Sequence, residues 1–596
     1  MSDRVGLLDS AAMAAPFRKV LVANRGEIAV RVFRALRELG IGSVAVYSEA
    51  DRGSLHVRRA DEARLIGPGA PAESYLSSER IIAAARASGA EAIHPGYGFL
   101  AENAAFARAC EAAGLTWIGP PPSAIEAMGS KIGARQRMAA AGVPIVPGTT
   151  EEIRDAAKVI ELGDRYGWPI AIKASAGGGG RGMEVVASAA EAARALETAR
   201  RQGEAYFADA AVYVEKYVED PRHVEIQVLA DRHGATIHLG ERDCTLQRRH
   251  QKVLEEAPSP AVSPELRARM GAMAVDAARA VGYVGAGTVE CLLDRHGSFF
   301  FLEMNTRIQV EHPVTELVTG FDLVRAQIEI AGGAQLPIAQ ADVELRGHAF
   351  ECRINAEDAG AGFRPAPGRV VRYAEPAGPG VRVDSGIEEG DEVVGLYDPL
   401  IAKLCVWDSD RERARLRMLR ALDELVVEGV PTLVPLHRLI LQHPSFIAGE
   451  TCAGLIEGEL AAALAPAEPA QPALPAAEQR RYAVEVDGAR YEVSVALPGD
   501  ELLAAERRRR AERRARSGLG GPGGEHVASP MQGTVLRVEV ADGDAVEAGV
   551  VLVIVEAMKM ENEIRAHAAG VVRELSVVMG DAVRSGQPLL RIVAEP

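Results

Sequence analysis

The chain has 596 residues, 48% hydrophobic and 25% charged, and its 67 basic against 83 acidic residues give a formal net charge of -16. That length calls for several domains with sizeable cores, and the acidity argues against a nucleic-acid-binding surface over most of the chain. No apolar run approaches the roughly 20 residues of a membrane span, and six widely spaced cysteines without a C-x-x-C pair make a poor disulfide framework and a poor zinc site.

The first residues, "MSDRVGLLDSAAMAAP", lack a signal-peptide pattern and read as a short disordered extension (1–17) on a cytoplasmic protein. From Lys19, "KVLVAN" predicts a strand, "GEIAVRVFRALRELG" a helix and "SVAVYS" a strand. "SSERIIAAARASG" predicts a further helix and "EAIHP" a further strand. This βαβ series implies a parallel sheet covered by helices. Its first turn, "NRGE", is not G-x-G-x-x-G, so a dinucleotide site and a purely structural turn both stay open.

Near residue 130 the character changes. "YGWPIAIKASAGGGGRGMEVVAS" predicts strand, glycine-rich loop, strand, with Lys173 at the end of the first strand. Glycines let backbone N–H groups approach phosphate oxygens. The loop is not a P-loop; a glycine lid between two strands with a lysine for phosphate charge is the ATP-grasp arrangement. "ERDCTLQRRHQKVLEEAPSP" concentrates Arg242, Arg248, Arg249, His250 and Lys252, a cluster suited to anions in an otherwise acidic chain.

In "FFFLEMNTRIQVEHPVTE", Glu303, Asn305, Arg307, Gln309 and Glu311 recur at period two, which on an extended chain places them on one side. Glu303 and Asn305 offer oxygen ligands for Mg²⁺, with Glu290 of "GAGTVECLL" adding a carboxylate from the neighbouring strand. Arg307 offers a fork for a planar oxyanion, and Glu311 can serve as a general base. "GHAFECRINAED" places Arg353 in a strand-like setting.

"AAALAPAEPAQPALPAAEQ" reads as an extended linker, and "RYAVEVDGARYEVSV" alternates on both sides of Asp487-Gly488, a hairpin signal. The basic run Glu506 to Arg516 is a solvated helix or tether, with docking to an acidic partner as the functional alternative. The last 70 residues hold a repeat at an offset of 37: Gly533, Val535, Gly543, Gly549 and Leu552 match Gly570, Val572, Gly580, Gly586 and Leu589. Two short β units of this kind predict a small quasi-twofold barrel or sandwich. Lys559, between Met558 and Met560, lies in the connection between the halves, at a protruding turn suited to covalent modification.

"VLVANRGEIAVRVFRA", "AIHPGYGFLAEN", "KASAGGGGRGM", "ERDCTLQRRHQK", "EMNTRIQVEHPVTE" and "ECRINAED" resemble biotin carboxylase, and "EAMKMEN" within its repeat resembles a biotinyl carrier domain. The whole chain resembles the α subunit of a biotin-dependent acyl-CoA carboxylase. Leu433 and Cys452 depart from residues frequent in that family, asparagine and glycine. The resemblance implies an α/β fold: a Rossmann-like N-terminal domain (18–129), an ATP-grasp domain (130–345) and a biotin carboxylase C-terminal domain (346–460). A linker with a hairpin docking element (461–526) and an all-β biotinyl domain, a flattened barrel or sandwich (527–596), complete it.

The resemblance also implies roles. Lys131 and Lys173 bind ATP phosphates, with Gly177, Gly178, Gly179 and Gly180 closing over them. Glu215, Lys216 and Val218 line the adenine pocket; His223, Gln247 and His250 approach ribose and phosphates. Glu290, Glu303 and Asn305 hold Mg²⁺ or Mn²⁺. Lys252, Arg307, Gln309, Val310 and Glu311 surround bicarbonate, Arg353 faces the biotin oxygen, and Lys559 carries covalent biotin. It implies a carboxyltransferase β subunit on a separate chain, a biotin protein ligase and a homo-oligomer within a larger complex, without nucleic acid or membrane. The acceptor, acetyl-CoA, propionyl-CoA or a longer acyl-CoA, stays open. There are two competing readings: another ATP-grasp ligase, of the carbamoyl-phosphate type, and a carrier chain without catalytic activity. The biotinyl tail argues against the first, and intact Lys252, Arg307, Glu311 and Arg353 against the second.

Overall fold

The computed structural model describes residues 15–149, 151–175, 183–207, 209–460, 463–464, 479–486, 489–496, 526–557, 560–584 and 586–593. The first 14 residues, the lid Gly177 to Gly180, most of the Ala/Pro linker, the basic run and Lys559 lie outside them.

The N-terminal βαβ reading holds. β1 (Lys19–Val22), α1 (Gly26–Glu38), β2 (Gly42–Ser48) and β4 (Ala92–His94) form where the apolar pattern places them. Two further strands are not predicted by that pattern, β3 (Glu62–Gly67) and the two-residue β5 (Thr116–Trp117), because they carry little apolar alternation. All pairs are parallel, in the order β3-β2-β1-β4-β5. α1 covers the sheet with Ile28, Ala29, Val32, Phe33 and Leu36, a stripe at helical spacing.

β6 (Ile170–Ala174) pairs antiparallel with β7 (Met183–Val186), the strands predicted on either side of the glycine loop, and also with β8 (Val212–Lys216), which is not predicted. The largest sheet has eight antiparallel strands. β13 (Phe299–Asn305), β12 (Gly285–Leu293), β9 (Arg222–Ala230), β10 (Thr236–Arg248), β11 (Gln251–Ala257) and β14 (His348–Asn355) run side by side. Leu400–Asp408 and Val381–Ser385 complete it.

This sheet runs through the expected boundary at 345/346 without a break, because β11 pairs with β14 over four residues, Leu254↔Cys352 to Ala257↔Ala349. The two faces of β14 differ. Phe350, Cys352 and Ile354 join an apolar core with Met418, Leu422, Leu436 and Ile440 from the helices Arg411–Glu424 and Val434–Gln442. Ala349 faces the opposite way, packing with Val314 and Val318 of the helix His312–Thr319. Glu351 and Arg353 share that second face by strand alternation.

The predicted hairpin pairs Gln479–Val486 with Ala489–Ala496 in register about Asp487-Gly488. The C-terminal domain is all β, two four-stranded sheets with the strand orders His526–Ala528, Pro588–Val593, Gly570–Arg573, Ala545–Val546 and Met560–Arg565, Val551–Ala557, Gly533–Val538, Ala582–Val583. Adding the repeat offset to any of the first-half strands lands on its counterpart in the other sheet, so the quasi-twofold axis exchanges the sheets. Their inner faces enclose Val535, Leu552, Val555, Val572 and Leu589.

Candidate active site

The elements converge on one cavity of about 1430 Å³. Its wall contains Lys131, Lys173, Lys216, Val218, His223, Gln247, His250, Lys252, Glu290, Glu303, Asn305, Arg307, Gln309, Val310 and Arg353, so most of the residues singled out from the sequence come together. Glu215 and Glu311 lie beneath this wall, both buried.

At one end, the β6–β8 pairing brings Lys173 beside Glu215, Nζ to Oε2 2.5 Å, while Arg135 bonds the other carboxylate oxygen. These cations hold the Glu215 carboxyl below the usual range despite burial. Glu215 thus anchors the lysine that faces the cavity.

In the middle, β12 and β13 pair Glu290 directly with Glu303, and Thr288 with Asn305. Cross-strand partners lie about 5 Å apart on one face, so two carboxylates and an amide oxygen converge. Glu290 accepts from Lys252 Nζ at 3.0 Å, Asn305 Nδ2 at 2.8 Å and Gln309 Nε2 at 3.1 Å, and lies 3.1 Å from His223 Nε2. Lys131 stands 3.5 Å from Glu303. Two carboxylates and an amide oxygen, hard donors aimed together beside Lys131 and Lys252, fit Mg²⁺ or Mn²⁺.

At the far end, Glu311 is fully buried, with Lys252 Nζ 2.6 Å from Oε1 and Arg353 Nη2 2.8 Å from Oε2. Lys252 and Arg353 hold its carboxyl well below the ordinary value against the opposing effect of burial. The expected extended run through Glu311 is corrected here. β13 ends at Asn305, and Glu311 is the N-cap position of the helix His312–Thr319. Pro313 at the start of that helix sets a helical backbone that period-two spacing does not report. Arg307 still reaches the cavity, held by Glu102 at 3.0 Å, Gln309 at 2.8 Å and Asn305 at 3.1 Å.

The basic cluster divides. Arg249, His250 and Lys252 face the cavity. Arg242 is instead wholly buried on Glu225, Gln227, Thr288 and Thr315, and Arg248 lies 3.9 Å over the Phe363 ring. Arg249 and His250 form the two-residue turn between β10 and β11, with φ of 46° and 64°. Non-glycine residues in this region cost on the order of 1–3 kcal/mol each; here the turn aims both side chains at the cavity.

Several residues of the site are not found by sequence reasoning. Glu225, fully buried, accepts from both Arg242 and Lys252. Lys403, fully buried, donates to the Val310 carbonyl at 2.9 Å and stands 3.3 Å from Glu27. The "NRGE" turn lines the cavity, but Arg25 is committed to Asp51 at 2.7 and 2.8 Å and lies 4.4 Å over the Tyr397 ring. A buried glutamate among strand apolars carries a signal, yet nothing local says which cation it meets.

The cavity is closed on one side by the C-terminal domain, through Gln532, Gly533, Thr534, Glu556, Ala582, Val583 and Arg584. Glu556 and Ala557 pair with Glu561 and Met560, so this is the end of the domain at which the strands on either side of Lys559 meet.

Comparison with known proteins gives four family matches in chain order. They are the biotin carboxylase N-terminal domain over 16–125, the carbamoyl-phosphate synthase L chain ATP-binding domain over 130–339, the biotin carboxylase C-terminal domain over 351–458, and a biotin-requiring enzyme domain over 525–592. The chain is 46% identical over 590 residues to the biotin-dependent acyl-coenzyme A carboxylase alpha3 subunit of Mycobacterium leprae, covering 96% of this chain and 98% of that protein. It is 53% identical over 434 residues to biotin carboxylase 1 of Bacillus subtilis, covering 73% and 96%. Among solved structures it is similar to a Campylobacter jejuni biotin carboxylase–ATP complex, with TM-score 0.72, 43% identity and coverage of 74% and 98%. It is also similar to the biotin carboxylase domain of the Hydrogenobacter thermophilus 2-oxoglutarate carboxylase with MgADP, ADP and bicarbonate, with TM-score 0.73, 47% identity and coverage of 76% and 99%.

Proposed function

The chain belongs to the α subunits of the biotin-dependent acyl-CoA carboxylases, with an ATP-grasp biotin carboxylase and a biotinyl domain on one polypeptide, and from that premise we propose that it carboxylates biotin borne on its own Lys559, using ATP and bicarbonate. A separate carboxyltransferase chain then passes the carboxyl group to an acyl-CoA, acetyl-CoA or propionyl-CoA. The observation that carries this reading is the buried Glu311 between Lys252 and Arg353, at a cavity that the carrier domain also lines.

Lys131 and Lys173 supply cationic charge to the ATP phosphates. Glu290, Glu303 and Asn305 would hold Mg²⁺, which when bound neutralises charge spreading over the phosphoryl oxygens. Lys252 and Arg307 present donors to bicarbonate. Glu311 is ionised throughout the physiological range, so it is free to accept a proton but only weakly basic while both cations grip it. Bicarbonate, by drawing on Lys252, loosens that grip and raises the basicity of Glu311 when it is needed. The deprotonated oxygen attacks the γ-phosphorus, ADP leaves, and the carboxyphosphate releases CO₂ and phosphate inside the cavity. Phosphate then removes the ureido N–H proton of biotin, here the second substrate. Arg353 stabilises the ureido oxygen, and the nitrogen adds to CO₂.

A bicarbonate- and free-biotin-dependent ATPase assay tests this. Glu311→Gln keeps the shape and removes the base; it should lower turnover on the order of 10²–10⁴-fold with ATP binding retained. Near-normal turnover would remove Glu311 from its role.

A further inference from the structure

β11 and β14 place Glu255 and Glu351 directly opposite one another, and both are wholly buried. Like charges on facing cross-strand positions destabilise a sheet, and an unpaired charge out of water costs far more. The surroundings of the two differ. Glu255 Oε1 accepts from Arg353 Nε at 2.6 Å, while its Oε2 has no hydrogen-bond partner among the described residues. Among the described residues Glu351 has no cation within ion-pair distance: Oε2 meets only the Cys405 thiol, at 3.4 Å, and Oε1 has no hydrogen-bond partner. The nearby Lys403, on the strand next to β14, acts on Glu351 through its charge alone, its hydrogen bond going to the Val310 carbonyl and its ion pairs to Glu27 and Asp384.

We propose that Glu351 is held as a neutral carboxylic acid, which leaves Glu255 as the single carboxylate counter-charge on its side of Arg353 and makes Glu255 a positioning residue for that arginine. The Arg353 side chain then spans two carboxylates, Glu255 through Nε and Glu311 through Nη2. Were Glu351 ionised as well, three carboxylates would compete for one guanidinium, and Arg353 could be drawn back from the cavity. Burial, with Glu255 as a like charge, pushes the Glu351 carboxyl well above its ordinary value against the opposing charges of Lys403 and Arg353; burial raises Glu255 less, to about 7, because Arg353 bonds it directly, so Glu255 is the member of the facing pair that ionises first. The groups facing Glu351 are Glu255 on β11, Arg353 on its own strand, Lys403 and Cys405 on Leu400–Asp408, and Glu311 at the end of the covering helix. On that helix His312 is buried and kept uncharged by its burial.

The role in positioning Arg353 for biotin rests on the function proposed above; the protonation state of Glu351 does not, so the test has separable arms. Thermal unfolding of the full-length Glu351→Gln variant reads the first. A carboxyl whose folded pKa is raised stabilises below its unfolded pKa and loses that contribution as pH rises through the folded value. The neutral amide loses nothing, so Glu351→Gln should melt at or above the wild-type temperature, by a margin that widens as pH rises. A lower melting temperature at neutral pH would overturn the proposal, since that is the signature of a buried cation deprived of its carboxylate partner. Infrared difference spectra of the same pair should show the protonated-carboxyl C=O band of wild type missing from the variant; its absence from wild type would overturn the proposal independently. In the second arm, Glu255→Gln should raise KM for free biotin on the order of 10-fold at unchanged KM for ATP, while Glu351→Gln keeps the wild-type biotin KM. Equal changes in both KM values would reduce Glu255 to a structural residue and overturn its positioning role.

Discussion

In and against the catalytic sheet Glu225, Glu255, Glu351, Arg242 and Lys403 on its strands and Glu311 at the N-cap of the covering helix are charged or titratable side chains with no exposed surface, whereas the C-terminal domain encloses an apolar core in which, among the described residues, Ser529 is the one buried polar side chain. The first region spends burial on charge, which is costly unless each group is met, and gains a site whose members are fixed before substrate arrives. The second is a β framework built from a repeated apolar unit closing on itself. Specific charge placement makes the catalytic region sensitive to single atoms; the carrier is sensitive chiefly to volume.

The largest expected effect separates the two regions entirely. Lys559→Ala should abolish acyl-CoA carboxylation by the complete complex, while carboxylation of free biotin by the same chain persists. Intact-mass measurement should show the variant lacking a biotinyl group, and label on another lysine would break the division of labour. Next comes carrier volume. Leu589 is fully buried, and Leu→Ala at such sites costs about 2–5 kcal/mol, much of what a domain of this size has. Leu589→Ala should melt the carrier and reduce biotinylation without shifting the catalytic transition, as followed by calorimetry and avidin binding.

Acid should act on the catalytic region through its charges. Glu215, Glu290, Glu311 and Asp384 have carboxyls held below their ordinary values by adjacent cations, against the burial that would raise them. Groups shifted this way stabilise the fold above the unfolded pKa and lose that contribution as pH falls through and below it. The catalytic melting temperature should therefore drop as pH goes below about 4, and a flat profile would contradict the pairing described. The smallest effect concerns the shared wall of the cavity. Arg584→Glu, on the carrier side, should slow carboxylation of the tethered carrier a few-fold and leave free biotin unaffected. An equal effect on both would show that this edge does not serve docking.

Much of this architecture is legible without coordinates. Apolar periodicity locates β1, α1, β2 and β4, a two-residue Asp-Gly turn locates the hairpin, and the 37-residue repeat foretells a small barrel or sandwich with quasi-twofold symmetry. Spacing also finds Glu290, Glu303 and Asn305, since neighbouring antiparallel strands bring their ends together. β3 and β5 stay hidden for different reasons. In β3 the polar Glu62 and Arg64 interrupt the apolar residues at an edge of the sheet, and β5 is too short to carry a pattern.

What the sequence determined by itself is therefore local: which segments are strands or helices, where the chain repeats, and where cationic and carboxylate side chains concentrate. Tertiary structure alone decided that Arg242 is a buried anchor while Lys252 faces the cavity, that Glu311 caps a helix between two cations, that one sheet crosses the boundary at 345/346, and that Glu255 faces Glu351. The reason is physical. Propensity and periodicity act over a few residues, but the charge state of a buried group depends on partners set by strand register, and β11 meets β14 from nearly a hundred residues away.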